Sequence, residues 1–131
     1  EQMATLTTLR DEDWKNVEAL CTLLLKKEKA KTYAVYGKNG DCIASAVFFF
    51  SHNRAYYILV GNHPNGKTLG ASHALLNAFI KDHAGQSLLL DFEGTDIRNL
   101  AFFYSGFGAV KESYPAIRLN RLPFYLKWMK K

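Results

Sequence analysis

Apolar positions recur along this chain at two spacings, and the spacing changes several times. Over residues 11–30 the apolar side chains Trp14, Val17, Cys21 and Leu24 fall three to four apart, one stripe of an amphipathic helix. Asp11, Glu12 and Asp13 crowd its first turn and Lys26, Lys27 and Lys29 its last, both suited to the helix dipole. The pattern then becomes strand-like over 32–37 and 42–50. Lys38-Asn39-Gly40-Asp41 joins these strands, and Asn-Gly predicts a type I′ turn with positive φ at both central positions. A third strand over 55–60 follows a turn at Ser51-His52-Asn53-Arg54. Short links between three strands imply an antiparallel meander.

Helical spacing then returns. A loop over 61–68 leads into a helix over 70–84 with Leu76, Phe79 and Ile80 facing inward. Ser87 to Phe92 reads as a buried strand. Thr95 or Asp96 caps a helix carrying Leu100, Phe103, Tyr104 and Phe107, which Gly108 can end. A last strand is expected near 110–119, and Pro123 can open a short terminal helix. The strand–helix–strand unit over 55–92 should be a right-handed parallel crossover. With no repeat, low-complexity segment or linker, residues 1–131 read as a single domain.

Composition agrees. The chain has 131 residues, 48% hydrophobic and 22% charged, enough for one compact core. No apolar run approaches the roughly 20 residues of a membrane helix, and Ala44 to Phe50 is only strand-sized. The N-terminus lacks a basic-then-apolar signal pattern, so a cytoplasmic protein without a membrane partner is expected. Cys21 and Cys42 have no metal or redox spacing and read as free buried thiols in a reducing compartment. His52, His63, His73 and His83 are never three or four residues apart, so no metal site is expected.

The net charge of +5 is uneven. Residues 1–108 hold eleven basic and eleven acidic residues, whereas 109–131 hold six basic residues against Glu112. Such a tail can meet nucleic acid, phosphates or an acidic partner, or can be a solvated helix end. Aromatic residues do not interleave with it as a single-strand binding platform requires.

One stretch, "GNHPNGKT", formally matches a phosphate loop: Gly61, then Gly66-Lys67-Thr68. It follows an apolar strand and precedes a helix, and Leu88-Leu89-Leu90-Asp91 imitates a strand ending in a magnesium-binding Asp. The surroundings oppose a nucleoside triphosphatase. That fold is a mainly parallel sheet with the loop after its first strand, and here a hairpin and a meander come first. Gly61 and Gly66 then read as turn residues.

Shifted in register, "HPNGKTLGASHALL" resembles the segment of GNAT acyl-CoA transferases that links a strand to the next helix. The family pattern is His-Pro, two variable residues, Arg/Gln-x-x-Gly-x-Gly/Ala, then an apolar helix. Here Lys67, Thr68, Leu69, Gly70, Ala71 and Ser72 are followed by Leu75 and Leu76. The resemblance implies that backbone N–H groups at a helix N-terminus hold a coenzyme pyrophosphate. It also implies an α+β fold with a mixed, mostly antiparallel sheet flanked by helices. A second match is "FFYSGFGA", close to the family's Tyr-x-x-x-Gly-Phe with Ala109 in place of Phe. There Tyr104 would be the general acid that protonates the departing thiolate. It can equally cap the apolar stripe with its hydroxyl at the surface.

"LLDFEGTD", "FFYSGFGA" and "RLNRLPFYLK" together look like the C-terminal GNAT-like half of tandem bacterial proteins related to FemABX-type transferases, over about residues 30–131. That implies a missing upstream half. The enzyme expectation is an N-acyltransferase moving an acyl group from acetyl-CoA, or a related donor, to a small-molecule or peptide amine, without a metal. Lys67, Thr68, Gly70, Ala71 and Ser72 would bind the donor, and backbone groups of Leu59 and Val60 would meet its pantetheine arm. Glu93 is the candidate base and Asp91 the second; either can instead be a satisfied strand-end or turn carboxylate. The alternatives are a catalytically degenerate scaffold for a partner half or homodimer, and an aminoacyl-transferase half that contacts tRNA through the basic tail. Departures from the family pattern are Lys67, which keeps charge but loses a planar fork, and Ser72, whose Cβ narrows the approach.

Overall fold

The computed structural model describes residues 10–63, 70–93, 97–115 and 117. Its Cα positions form two compact units, divided between Gly94 and Thr95. The first unit holds α1 (Asp11–Lys26), β1 (Ala30–Tyr36), β2 (Cys42–Ser51), β3 (Arg54–Asn62), α2 (Ala71–Asp82) and β4 (Leu89–Asp91). The second holds α3 (Arg98–Ser105). The four strands lie in the order β1-β2-β3-β4, with two antiparallel ladders and a parallel one between β3 and β4. This is the mixed, mostly antiparallel sheet with helices that the pattern predicts.

In α1 the Arg10 N–H donates to Asp13 Oδ2 at 3.1 Å, which satisfies a backbone donor at the helix start. The helix stops at Lys26, short of the expected 30, because Glu28 turns to φ 55° and Ala30 already opens β1. Trp14, Val17, Cys21 and Leu24 are half-buried, so the apolar stripe is the side that packs.

The type I′ turn expected between β1 and β2 falls instead between β2 and β3. Between β1 and β2 only Gly40 has positive φ, at 84°, and Gly40 N–H donates to the Gly37 carbonyl at 3.0 Å. That is a three-residue loop with its last residue left-handed, not a type I′ turn. Between β2 and β3 the register pairs Ser51 with Arg54, leaving two linking residues. His52 and Asn53 take φ 50° and 57°, the signature of type I′. Loop length imposed by pairing decides the turn, and Asn-Gly only permits it.

The core lies between the sheet and α2. Phe48 (0% exposed) stacks on Phe79 (2%) at 3.9 Å between ring centroids. The Tyr33 ring meets both edge-on at 5.4 Å. Ala71, Leu75, Leu76 and Phe79 form the buried face of α2, whereas Ile80, expected inside, is 38% exposed. At 100° per residue Ile80 falls past the edge of that face. β4 is shorter and less buried than expected: Leu89 is 52% exposed, because among the described strands β4 ends the sheet and pairs only with β3.

In the second unit Ile97 precedes α3 as its N-cap, and no side chain caps the helix. Thr95 and Asp96, the expected caps, lie outside the described residues. The helix ends at Ser105, and Gly108 follows at φ 79° with its N–H on the Ser105 carbonyl at 3.0 Å. Residues 110–115 and 117 carry no strand, contrary to expectation, and Val110 and Ile117 are 87% and 94% exposed. A strand needs a ladder partner, and the apolar content of this segment does not supply one. The Pro123 helix and all of the basic tail except Lys111 lie outside the described residues.

Candidate functional site

The site starts from an irregularity in β3. Ser45 pairs with Gly61 and Val47 with Ile58, so Leu59 and Val60 face Ala46 alone. Leu59 takes φ 51°. A bulge of this kind interrupts the ladder, bends the strand and leaves backbone polar groups unpaired. A left-handed Leu costs about 1–2 kcal/mol, which the flanking pairs hold in place. Gly61 therefore belongs to the strand, correcting its reading as a turn residue.

β3 and the following helix are tied together. Ser72 Oγ donates to Asn62 Oδ1 at 2.8 Å, joining the second residue of α2 to the last of β3. Asn62 has no place in the family pattern, so sequence reasoning passed over it. Its polar side chain at a strand exit was the available signal. Gly70 caps α2 from the left-handed region, φ 64°, with no side-chain cap. Its carbonyl accepts the His73 and Ala74 N–H groups at 3.0 and 3.1 Å. The N–H groups of Ala71 and Ser72 have no acceptor among the described residues. Two donors and the positive end of a helix dipole are thus presented beside the bulged strand. Lys67 and Thr68 lie outside the described residues.

The two carboxylates differ in their surroundings. Asp91 Oδ2 accepts from Arg54 Nη1 at 3.0 Å, and Oδ1 accepts the Glu93 N–H at 2.9 Å. Asp91 is therefore a satisfied strand-end carboxylate. Glu93 is exposed, at φ 62°, and lines a cavity with Tyr56 and Ile58. Tyr104 lies in α3 of the second unit, half-buried, with its ring 5.6 Å from that of Phe103. Burial pushes its hydroxyl above the ordinary tyrosine pKa of 10.0, so the phenol is protonated near neutral pH.

Cys42 is exposed, not buried, because it opens a strand beside the hairpin loop; Cys21 is half-buried. His83 is half-buried with its ring stacked 4.3 Å from Phe79. Among the described residues no group of three His, Cys, Asp or Glu side chains could hold a metal, and no helix is long and apolar enough to cross a membrane.

The bulged third strand, the uncapped helix start and the meander ahead of them can be set beside known proteins. No curated protein sequence matches the chain. Solved structures do. A possible acetyltransferase from Clostridium difficile 630 superposes with TM-score 0.65 at 15% identity, covering 93% of this chain and 84% of that one. An aminoglycoside antibiotic 6'-N-acetyltransferase from Acinetobacter baumannii gives 0.62 at 11% identity, over 90% and 86%. An acetyltransferase from Trypanosoma brucei gives 0.60 at 15% identity, over 91% and 87%. At such identities the likeness is one of fold. A family model described as "Acetyltransferase (GNAT) domain" matches residues 2–96, most of the sequence. The chain therefore belongs to the GNAT acetyltransferase family.

Proposed function

We propose that the chain is an N-acyltransferase that moves an acetyl or related acyl group from coenzyme A to a primary amine. GNAT acetyltransferases use an acyl-CoA co-substrate and act on amine acceptors. The observation that carries the reading here is the pair of N–H groups, Ala71 and Ser72, without an acceptor among the described residues, at the N-terminus of the helix that follows the bulged strand. In this reading those two N–H groups hold the coenzyme pyrophosphate, with Lys67 and Thr68 on the same loop. Gly70 leaves room for close approach. Backbone groups of Leu59 and Val60 meet the pantetheine arm as an added strand would.

The chemistry is a direct transfer. Glu93 takes a proton from the acceptor ammonium, directly or through a water, and Asp91, held by Arg54, positions the Glu93 backbone. The amine nitrogen attacks the thioester carbonyl; the C–N bond forms, the C–S bond breaks, and the nitrogen gives up a second proton to solvent to leave a neutral amide. Tyr104 gives its hydroxyl proton to the departing sulfur, a role open to any phenol because it is neutral near pH 7. The bulge and helix start bind the donor, and the two titratable groups move protons.

The test is acetyl-CoA binding followed by calorimetry, with turnover measured on amine panels. Lys67→Glu should weaken donor binding at least about tenfold, as reversing a phosphate contact does; unchanged affinity sinks the loop assignment. Tyr104→Phe should lower kcat roughly 100-fold with donor affinity within about twofold. Unaltered turnover removes the acid role.

A second reading is a GNAT-like half that scaffolds a partner half or a homodimer, as in the FemABX-type tandem proteins. The Ser72 side chain favours it, since its Oγ is an atom that the family's Gly or Ala lacks and it is engaged by Asn62. An aminoacyl-transferase variant would use Lys111 and the basic tail on tRNA. Donor binding seen only when an upstream half is supplied favours the scaffold.

A further inference from the structure

A cavity of about 690 Å³ opens on the sheet face turned away from α2. Phe48 and Tyr57 point to α2, so their strand neighbours Phe49, Tyr56 and Ile58 point the other way and form the cavity wall. Leu24 of α1 closes one side. None of these four side chains is fully buried, so the wall is apolar and open to solvent.

The two ends of the cavity are of opposite sign. At one end are Lys29 and His52. The Lys29 carbonyl accepts the Phe50 N–H at 2.8 Å, which sets Lys29 beside the last residues of β2 and the two-residue turn. At the other end is Glu93. Tyr56 pairs with Asp91, the last residue of β4, and Glu93, two residues on, lines the cavity with Tyr56 and with Ile58, the neighbour of the bulged Leu59. From Arg54, where the turn ends, to Ile58 is about 13 Å at roughly 3.3 Å per residue.

We propose that this cavity is the acceptor pocket and selects a bipolar amine: a primary ammonium and an anionic group about 10–13 Å apart, joined by an apolar body. The inference rests on the acyltransferase reading and names its substrate class. The ammonium lies against Glu93, at the end nearest the bulge where the donor would be, and the anion lies against Lys29 and His52. Polyamines and aminoglycosides fit poorly, because a second cation would meet Lys29 and a hydroxylated ring would lie on Phe49 and Tyr56.

The probe is 8-aminooctanoate, which carries its two charges at the ends of an apolar chain. Octylamine lacks the anion, and spermidine replaces it with cations. Calorimetry of the full chain with each probe alone should give 8-aminooctanoate about fivefold tighter binding than either, the scale of an exposed charge pair. Lys29→Glu should reverse that order and leave acetyl-CoA affinity unchanged; Lys29 is exposed, so the variant folds, and its donor affinity verifies this. Octylamine binding as well as 8-aminooctanoate, or a preference that survives Lys29→Glu, overturns the inference while the acyltransferase reading stands. Probe preference as expected with no acetyl-CoA binding supports the pocket and overturns the donor reading.

Discussion

Tyr33 and Asp82 illustrate how a single residue couples helix to sheet. Tyr33 Oη donates to Asp82 Oδ2 at 2.9 Å, bridging β1 to the last turn of α2. Burial, then the hydrogen bond and charge of Asp82, push the tyrosine pKa up from 10.0 to about 12. A raised folded-state pKa stabilises the protein below the unfolded value, and that contribution is lost as pH climbs from 10 to 12. Tyr33→Phe should therefore cost about 1 kcal/mol near neutral pH, and the gap to wild type should close between pH 10 and 12 in urea titrations. A gap that persists at high pH would remove the linkage. Neither partner was singled out from sequence, because 49 residues separate them and only the fold brings them together. The Arg54–Asp91 pair, 37 apart, was invisible for the same reason. Tyr104 is proposed only through the family pattern and Glu93 only from its place at the strand exit, since a carboxylate before a Gly and a phenol on a helix carry no signal in themselves.

At the scale of elements, the turns are the most instructive case. Asn-Gly at 39–40 announces a hairpin, and a hairpin is there, but its loop has one left-handed residue rather than two. The two-residue turn falls at His52-Asn53. Asn53→Gly should then stabilise by about 0.5–1 kcal/mol, since glycine takes positive φ without the Cβ penalty. Gly40→Ala should destabilise by about 1 kcal/mol for the same reason; nothing lies within 4 Å of the added Cβ, so the cost is conformational. Chemical denaturation midpoints measure both, and equal midpoints for wild type and Gly40→Ala would contradict the assigned φ. The starts of α1 and α2 were legible from spacing and end residues. Their stops were not, because α1 ends with Glu28 in the left-handed region that glycine and asparagine favour, so the residue there gives no sign of the stop.

For the molecule as a whole, the sheet separates two tasks. The face toward α2 is packed around Phe48, Phe79 and Tyr33. Phe48→Ala should cost about 3–5 kcal/mol, measured by urea unfolding of the first unit; a loss under 1 kcal/mol would mean that the ring stack contributes little. The opposite face keeps partly exposed Phe49, Tyr56 and Ile58 around a cavity. By itself the sequence determined the order of elements from α1 to α3, the meander followed by a parallel return, and the apolar faces of α1 and, Ile80 apart, α2. Those depend on local spacing, capping residues and glycine, which act over a few residues. Only the tertiary structure decided the bulge at Leu59, the turn types, the Ser72–Asn62 and Arg54–Asp91 contacts, and the edge position of β4. Each follows from strand register, and register is set by which residues meet across the sheet, not by their neighbours in the chain.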